Sequence, residues 1–164
     1  FGEFFQQFAA RRPPFLMASN AKALLKEFTK RQEQRANSYS ELRFFFKRYL
    51  GDRDVKTYQS SCKSITKKFK AIGDDILKIE KELIELKRNE WAAHIRQIQD
   101  NEKAKLQLTV KIQVLKTKYL LDRQDKDAPE YTSTLRSYQR QMATIIEKIN
   151  DTLEEIKYIL HEDD

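Results

Sequence analysis

The histidines, glycines and clustered carboxylates are the residues of this chain that could perform catalysis or hold a metal or phosphate. His94 and His161 are its two histidines, and they fall on different predicted helices without the short spacing of a metal site. The three glycines are isolated, so no glycine-rich loop can cradle a phosphate. Four nearby carboxylates are typical of a solvated helix face: Glu80, Glu82, Glu85 and Glu90. We therefore expect no enzymatic activity, no metal site and no cofactor.

Basic residues offer a second kind of chemistry, the binding of a polyanion. The net charge is +7, and it is uneven: residues 22–70 hold fourteen Lys and Arg against five acids, whereas residues 71–164 hold sixteen against nineteen. Lys63, Lys67 and Lys70 share one helical face and are the predicted polyanion-binding residues. Nucleic acid, an acidic protein surface and an acidic filament are the candidate partners, and a merely solubilising surface is the alternative.

Residues 1–18 form a separate, aromatic segment at the N-terminus. Its phenylalanines would share a face of a short helix that ends at Pro13-Pro14, and they must bury that face somewhere. Folding back on the chain and docking on another protein are both open, and we favour docking. The predicted docking residues are Phe1, Phe4, Phe5, Phe8, Arg11 and Arg12.

The cellular setting follows from absences in the sequence. A single cysteine excludes an internal disulfide, and Cys62 is expected to be a small buried apolar residue. No apolar run approaches the roughly 20 residues that cross a bilayer. No secretory signal is evident. Because the chain begins with Phe, the earlier removal of a targeting segment is left open as an alternative. We expect an intracellular protein without a membrane partner, located in the cytoskeleton or cilium, or in the nucleus.

The element that positions these groups is a heptad stretch near the middle of the chain, from Val55 to Leu86. Apolar residues recur there at alternating spacings of three and four, which is the seam of a coiled coil. With only 3 Gly and 3 Pro in 164 residues, the chain has too few breakers for a sheet fold. The predicted seam is Val55, Tyr58, Cys62, Ile65, Phe69, Ile72, Ile76, Ile79, Leu83 and Leu86.

The whole chain is predicted to be all-α, an elongated antiparallel bundle or coiled coil of about four long helices. The predicted helices are 20–50, 54–88, 90–122 and 128–160, within a bundle of 19–160 that an acidic tail, 161–164, follows. Ser19 or Asn20 would cap the first helix, Gly51 would end it, and Asp52 or Asp54 would cap the second. Asp127 would cap the last helix, with Pro129 in its first turn.

The apolar seam lapses at residues 87–90, where no Gly or Pro forces a break. A turn beginning near Asn89 gives a four-helix bundle, whereas a continuous helix of about 70 residues gives a rod with a hairpin at each end. Beyond it, two adjacent stripes predict an apolar face that contacts two neighbours. They are Leu106, Val110, Val114 and Leu121, and Leu108, Ile112, Leu115 and Tyr119.

One part of the sequence resembles a known family. The run Ala92-Ala93-His94-Ile95-Arg96-Gln97-Ile98-Gln99, followed by Glu102-Lys103-Ala104-Lys105-Leu106-Gln107-Leu108-Thr109, is similar to the signature of the "required for excision" B-domain proteins. Residues 25–35 and 58–83 are compatible with the same family, so the resemblance covers about residues 20–118. It implies a role in excision repair of damaged DNA and supplies no catalytic residues.

Two hypotheses of function follow. The first is a structural or adaptor subunit without enzymatic activity, held in a larger helical or filamentous assembly by its seams and its aromatic N-terminus. A cytoskeletal or ciliary setting is one version of it. The second, which the resemblance implies, is an accessory protein of DNA excision repair that sets its basic half against phosphate.

Overall fold

Four long helices, α1 to α4, form an up-down-up-down bundle in a computed structural model that describes residues 14–162. A π-helical segment, Thr117–Asp122, continues α3. The helices are α1 (Pro14–Asp52), α2 (Val55–Glu85), α3 (Asn89–Lys116) and α4 (Pro129–His161). The described residues contain no strand, which confirms the predicted all-α class.

The core lies at the end of the bundle where α2 turns into α3. There the four helices pack around fully buried side chains, because each contributes an apolar stripe at helical spacing. The extensive helix pairs are α1 with α2 and α3 with α4, so the bundle is built from two hairpins. Its largest fully buried side chains are Leu25 and Phe28 of α1, Ile76 and Leu83 of α2, Ile95 and Ile98 of α3, and Ile156 of α4.

The turns differ in detail from those that we predicted. Gly51 is helical, and Arg53 instead has the left-handed backbone, with φ 59°. The chain does turn between α2 and α3, which excludes the continuous 70-residue helix. Lys87 makes this turn with φ 62°, a conformation that glycine adopts more easily. A lack of glycine therefore did not prevent a tight connection.

The helix starts correct several predicted caps. α1 is already helical from Pro14, so neither Ser19 nor Asn20 begins it. Asp54 does cap α2, because its carboxylate accepts a hydrogen bond from the backbone N–H of Thr57 at 3.1 Å. Asp127 does not cap α4, which begins after Ala128, although Pro129 lies in the first turn as expected.

The heptad seam of α2 is buried over most of its length. Ile65, Ile72, Ile76, Ile79 and Leu83 are buried, and Tyr58, Cys62, Phe69 and Leu86 are half-buried. Val55 is an exception and is 46% exposed, because it stands at the first position of the helix, where α1 has already ended.

The second half of α3 departs from the predicted pair of buried stripes. Val110 and Val114 are 50% and 63% exposed, whereas Leu108 and Tyr119 are buried. The middle of that stripe therefore faces solvent, whereas its end residues, Leu106 and Leu121, are half-buried. The predicted helix 90–122 is also not α-helical throughout, because residues Thr117–Asp122 form a π-helix. Within this segment Tyr119 stacks on Tyr131 of α4, with ring centroids 5.2 Å apart.

A charge placed in the seam should unfold the bundle. Ile76 is fully buried, so Ile76→Asp would bury an unpaired carboxylate and lower the free energy of unfolding by about 4 kcal/mol or more. The neighbouring Leu77 is 45% exposed, and Leu77→Asp is the matched control, expected to melt nearly as the parent does. Circular dichroism melting curves measure both. Equal melting temperatures for the two variants would contradict the seam.

Candidate nucleic-acid interface

Basic residues gather at the end of the bundle opposite the core. Residues 43–70, the hairpin between α1 and α2, hold nine Lys and Arg against two acids. Residues 103–121, the second half of α3 and its π-helical segment, hold five Lys and no acid. A hydrogen bond of 2.7 Å from the Tyr58 hydroxyl to Gln113 Oε1 shows that both stretches lie at the same level of the bundle. We call these two stretches the basic end.

The opposite end has the reverse charge on three of its helices. Residues 71–102, mainly the second half of α2 and the first of α3, hold five basic and eight acidic residues, and residues 147–162 of α4 hold two and five. Antiparallel packing places these stretches together, as the 3.0 Å contact of His94 Nδ1 with Glu155 Oε2 shows. The bundle is therefore polarised along its axis, and a polyanion would meet it at the basic end.

The three predicted lysines lie on the exposed face of α2, within the basic end. Lys63 and Lys67 form no ion pair with any residue that the structure describes. Lys70 is different, because its Nζ lies 2.9 Å from Asp74 Oδ2, and this hydrogen bond raises the pKa of the ammonium group. Lys63 and Lys67 are thus the two of the three lysines whose charge no described carboxylate offsets.

Sequence reasoning missed the contribution of α3 to this surface. The division into a basic first half and an acidic second half assigned the lysines of α3 to the acidic half. Only the fold brings them beside α2. The available signal was a run of nineteen residues without an acid, containing Lys103, Lys105, Lys111, Lys116 and Lys118.

A buried polar layer separates the apolar core from the basic end. Arg35 Nη1 donates to Gln32 Oε1 at 2.8 Å, and its Nη2 donates to Gln99 Oε1 at 2.6 Å. Gln32 Nε2 in turn donates to Glu102 Oε1 at 3.1 Å, so Gln32 bridges a guanidinium and a carboxylate. Arg35 and Glu102 are both buried, and these bonds join α1 to α3.

Burial determines how the charged members of this layer titrate. It lowers the pKa of Arg35 and also that of Lys105, because both cations lose water. It raises the pKa of the Tyr39 phenol, and the negative charge of Glu102 adds to that effect. The Lys105 ammonium lies 4.1 Å from the Tyr39 ring centroid and 4.0 Å from Glu102 Oε2.

Beside this layer, the first and last helices enclose an open cleft of about 420 Å³. Its floor is α3, and its walls are the second half of α1 and the first half of α4. The cleft lies within the basic end, and cations from α1 and α3 line it (Arg43, Lys47, Lys105 and Lys116).

The remaining candidate groups do not form a site. Among residues 14–162 there is no cluster of three side chains that could hold a metal ion. His94 is engaged with Glu155 on the far side of the molecule from the basic end, and Cys62 is half-buried on the α2 seam. No described helix has the length and apolarity to cross a bilayer. The predicted docking residues Phe1, Phe4, Phe5, Phe8, Arg11 and Arg12 lie outside the described residues.

The family model for DNA repair REX1-B matches residues 23–116, more than half of the chain. The chain belongs to the DNA repair REX1-B family. This confirms the resemblance seen at residues 92–109. The matched part of this REX1-B chain spans α1 from Ala23, all of α2 and all of α3, and so includes nearly the whole basic end. No curated protein and no solved structure matches the chain.

The polar layer should behave as one coupled unit. Arg35→Met removes two hydrogen-bond donors and leaves buried Glu102 with Lys105 as its nearby cation, which should lower the free energy of unfolding by about 3 kcal/mol. Combining it with Glu102→Gln removes the buried negative charge, so the double variant should be more stable than the sum of the single effects by at least about 1 kcal/mol. Urea unfolding of the parent, the two single variants and the double variant measures this coupling. Strict additivity would contradict the coupling.

Tyr39 should make the bundle sensitive to alkali. Because its pKa is raised above 10.0 in the folded state, the unfolded chain ionises first, and stability present below pH 10 is lost as the pH rises further. One such group contributes a loss of about 1.4 kcal/mol per pH unit. Urea unfolding between pH 9 and 11.5 should therefore show a shallower decline for Tyr39→Phe than for the parent. Parallel declines would show that Tyr39 ionises equally in both states.

Proposed function

We propose that this chain is an accessory protein of DNA excision repair, without enzymatic activity, that binds nucleic-acid phosphate through its basic end. The observation that carries the proposal is the segregation of charge along the bundle, in a member of the DNA repair REX1-B family. A polyanion that neutralises several Lys and Arg releases condensed counterions, which favours binding without reading sequence.

The shape of the basic end supports binding to backbone rather than to bases. Its cations are presented by long helices over several turns, as phosphates are along a strand. The aromatic residues nearby mostly pack on each other, with Tyr49 and Tyr58 stacked at 4.7 Å and Phe46 buried. They therefore mostly support the hairpin; Phe44 differs, because its ring is 62% exposed and presents a face to solvent.

An adaptor role in a larger assembly is part of the same proposal. The polarised bundle offers two chemically different ends, one for a polyanion and one for a basic surface. A nuclear location would accompany work on DNA. An acidic filament is the competing partner for the basic end, and it would place the protein in the cytoskeleton or cilium.

The nucleic-acid proposal predicts a specific loss of affinity. Lys63→Glu combined with Lys67→Glu should weaken binding to a fluorescent DNA duplex and flatten the slope of log affinity against log salt by about two units. The matched control is Lys26→Glu combined with Lys30→Glu, which makes the same charge change at the same spacing on exposed positions outside the basic end. Fluorescence anisotropy at several salt concentrations measures both pairs.

Two outcomes would contradict the proposal. The first is an equal effect of the two pairs, which would show that only the net charge matters. The second is absence of DNA binding together with cosedimentation with an acidic filament, which would favour the cytoskeletal alternative. Circular dichroism of each variant verifies that the bundle is still folded, as expected for exposed lysines.

A further inference from the structure

The cleft between α1 and α4 has the composition of a binding site. Its volume of about 420 Å³ lies in the range of about 300–1,000 Å³ that is typical of ligand clefts. The apolar side chains come from three helices, and none of the residues from 14 to 162 that line the cleft is acidic. Those apolar residues are Phe46, Leu50, Ile112, Met142 and Ile146.

The cleft is elongated along the bundle axis. It runs from Tyr39 to Leu50 on α1 and from Lys105 to Lys116 on α3, twelve residues on each helix, or about 16 Å. The two helices run parallel, and Lys105 over the ring of Tyr39 aligns their starting levels. The groove therefore matches about three turns of a helix.

The cations line this groove at regular intervals. From the level of Lys105, Arg43 lies four residues further along, Lys47 eight and Lys116 eleven, which is about one cation per helical turn. A single carboxylate head group would need cations that converge on one point. Cations at every turn match carboxylates that recur along an acidic helix.

We infer that this cleft binds an amphipathic helix of a partner protein, with aliphatic side chains in the groove and Glu or Asp on its flanks. Apolar anchors at i, i+3 or i+4 and i+7 would enter between α1 and α4. The flanking carboxylates would meet Arg43, Lys47 and Lys116. Nucleic acid suits this groove less well, because the rings of Tyr39 and Phe46 are buried and the remaining apolar lining is aliphatic.

The inference does not depend on nucleic-acid binding. Lys63 and Lys67 lie on the exposed face of α2, whereas the cleft is formed by the other three helices. Variants of the two surfaces can therefore fail separately. Ile146, 39% exposed on the α4 wall, is the best position for a disruptive substitution, because Ile146→Glu changes the cleft without burying a charge in the core.

The test uses a designed 16-residue acidic amphipathic peptide and the full chain labelled with ¹³C at its methionine methyl groups. The chain has two methionines, and Met142→Leu identifies the signal from the cleft. We expect the peptide to shift the Met142 methyl signal. Ile146→Glu should weaken the affinity at least tenfold, and Lys47→Glu should weaken it and reduce its salt dependence. Ile84→Glu, at a 48% exposed position outside the cleft, should change the affinity less than twofold.

Several results would overturn the inference. One is that a scrambled peptide of the same composition binds as tightly as the amphipathic peptide, since binding would then depend on charge attraction alone. A second is a shift of the Met142 signal by a long-chain fatty acid or a single-stranded oligonucleotide but not by the peptide, which would assign the cleft to another ligand. A third is a concentration-dependent Met142 shift without peptide that Ile146→Glu abolishes, which would mean that a second copy of the chain covers the cleft.

Discussion

The register between α1 and α3 depends on one buried charge. Arg35 enters the bundle interior and is satisfied by side chains of Gln32 and Gln99, while Gln32 also holds Glu102. A shift of either helix by one turn would break the bonds from Arg35 to Gln99 and from Gln32 to Glu102, and the loss of partners for buried charged groups is costly. This layer also aligns Lys105 with Tyr39, and so sets the order of cations along the cleft.

Antiparallel connectivity then distributes the charge. The charge is divided most clearly in α2 and α3, each of which has one half rich in basic residues and one rich in acidic residues, and reversal of direction at the turn between them brings like halves together. The resulting concentration of cations destabilises its own end through repulsion. Few ion pairs relieve it there, among them Lys68 with Glu41 at 2.7 Å and Arg48 with Asp52 at 3.0 Å. Such an arrangement is consistent with the binding of an anionic partner.

The helices and the α2 seam were predictable because apolar periodicity reports directly on burial, as at Ile72, Ile76 and Leu83. The turns were less so: Arg53 and Lys87 adopt left-handed backbones that composition does not reveal. Lys63 and Lys67 could be assigned to one face from spacing alone. Lys116 and Arg43 could not be placed together, because their proximity depends on which helices pair. Gln32 and Arg35 are polar residues within the apolar stripe of α1. They are buried because Gln32 bonds to Glu102 of α3, a partner that the pattern of a single helix cannot reveal.

The separation of charge along the bundle gives the molecule a permanent dipole moment parallel to its helices. In the field of a long polyanion, that dipole experiences a torque as well as a net attraction. The protein would therefore rotate before contact, so that its basic end reaches the polyanion first and the opposite end points away. Orientation during diffusion raises the fraction of productive encounters, and added salt removes this advantage because it shortens the range of the field. The rate of association, more than the lifetime of the complex, would carry this dependence on salt.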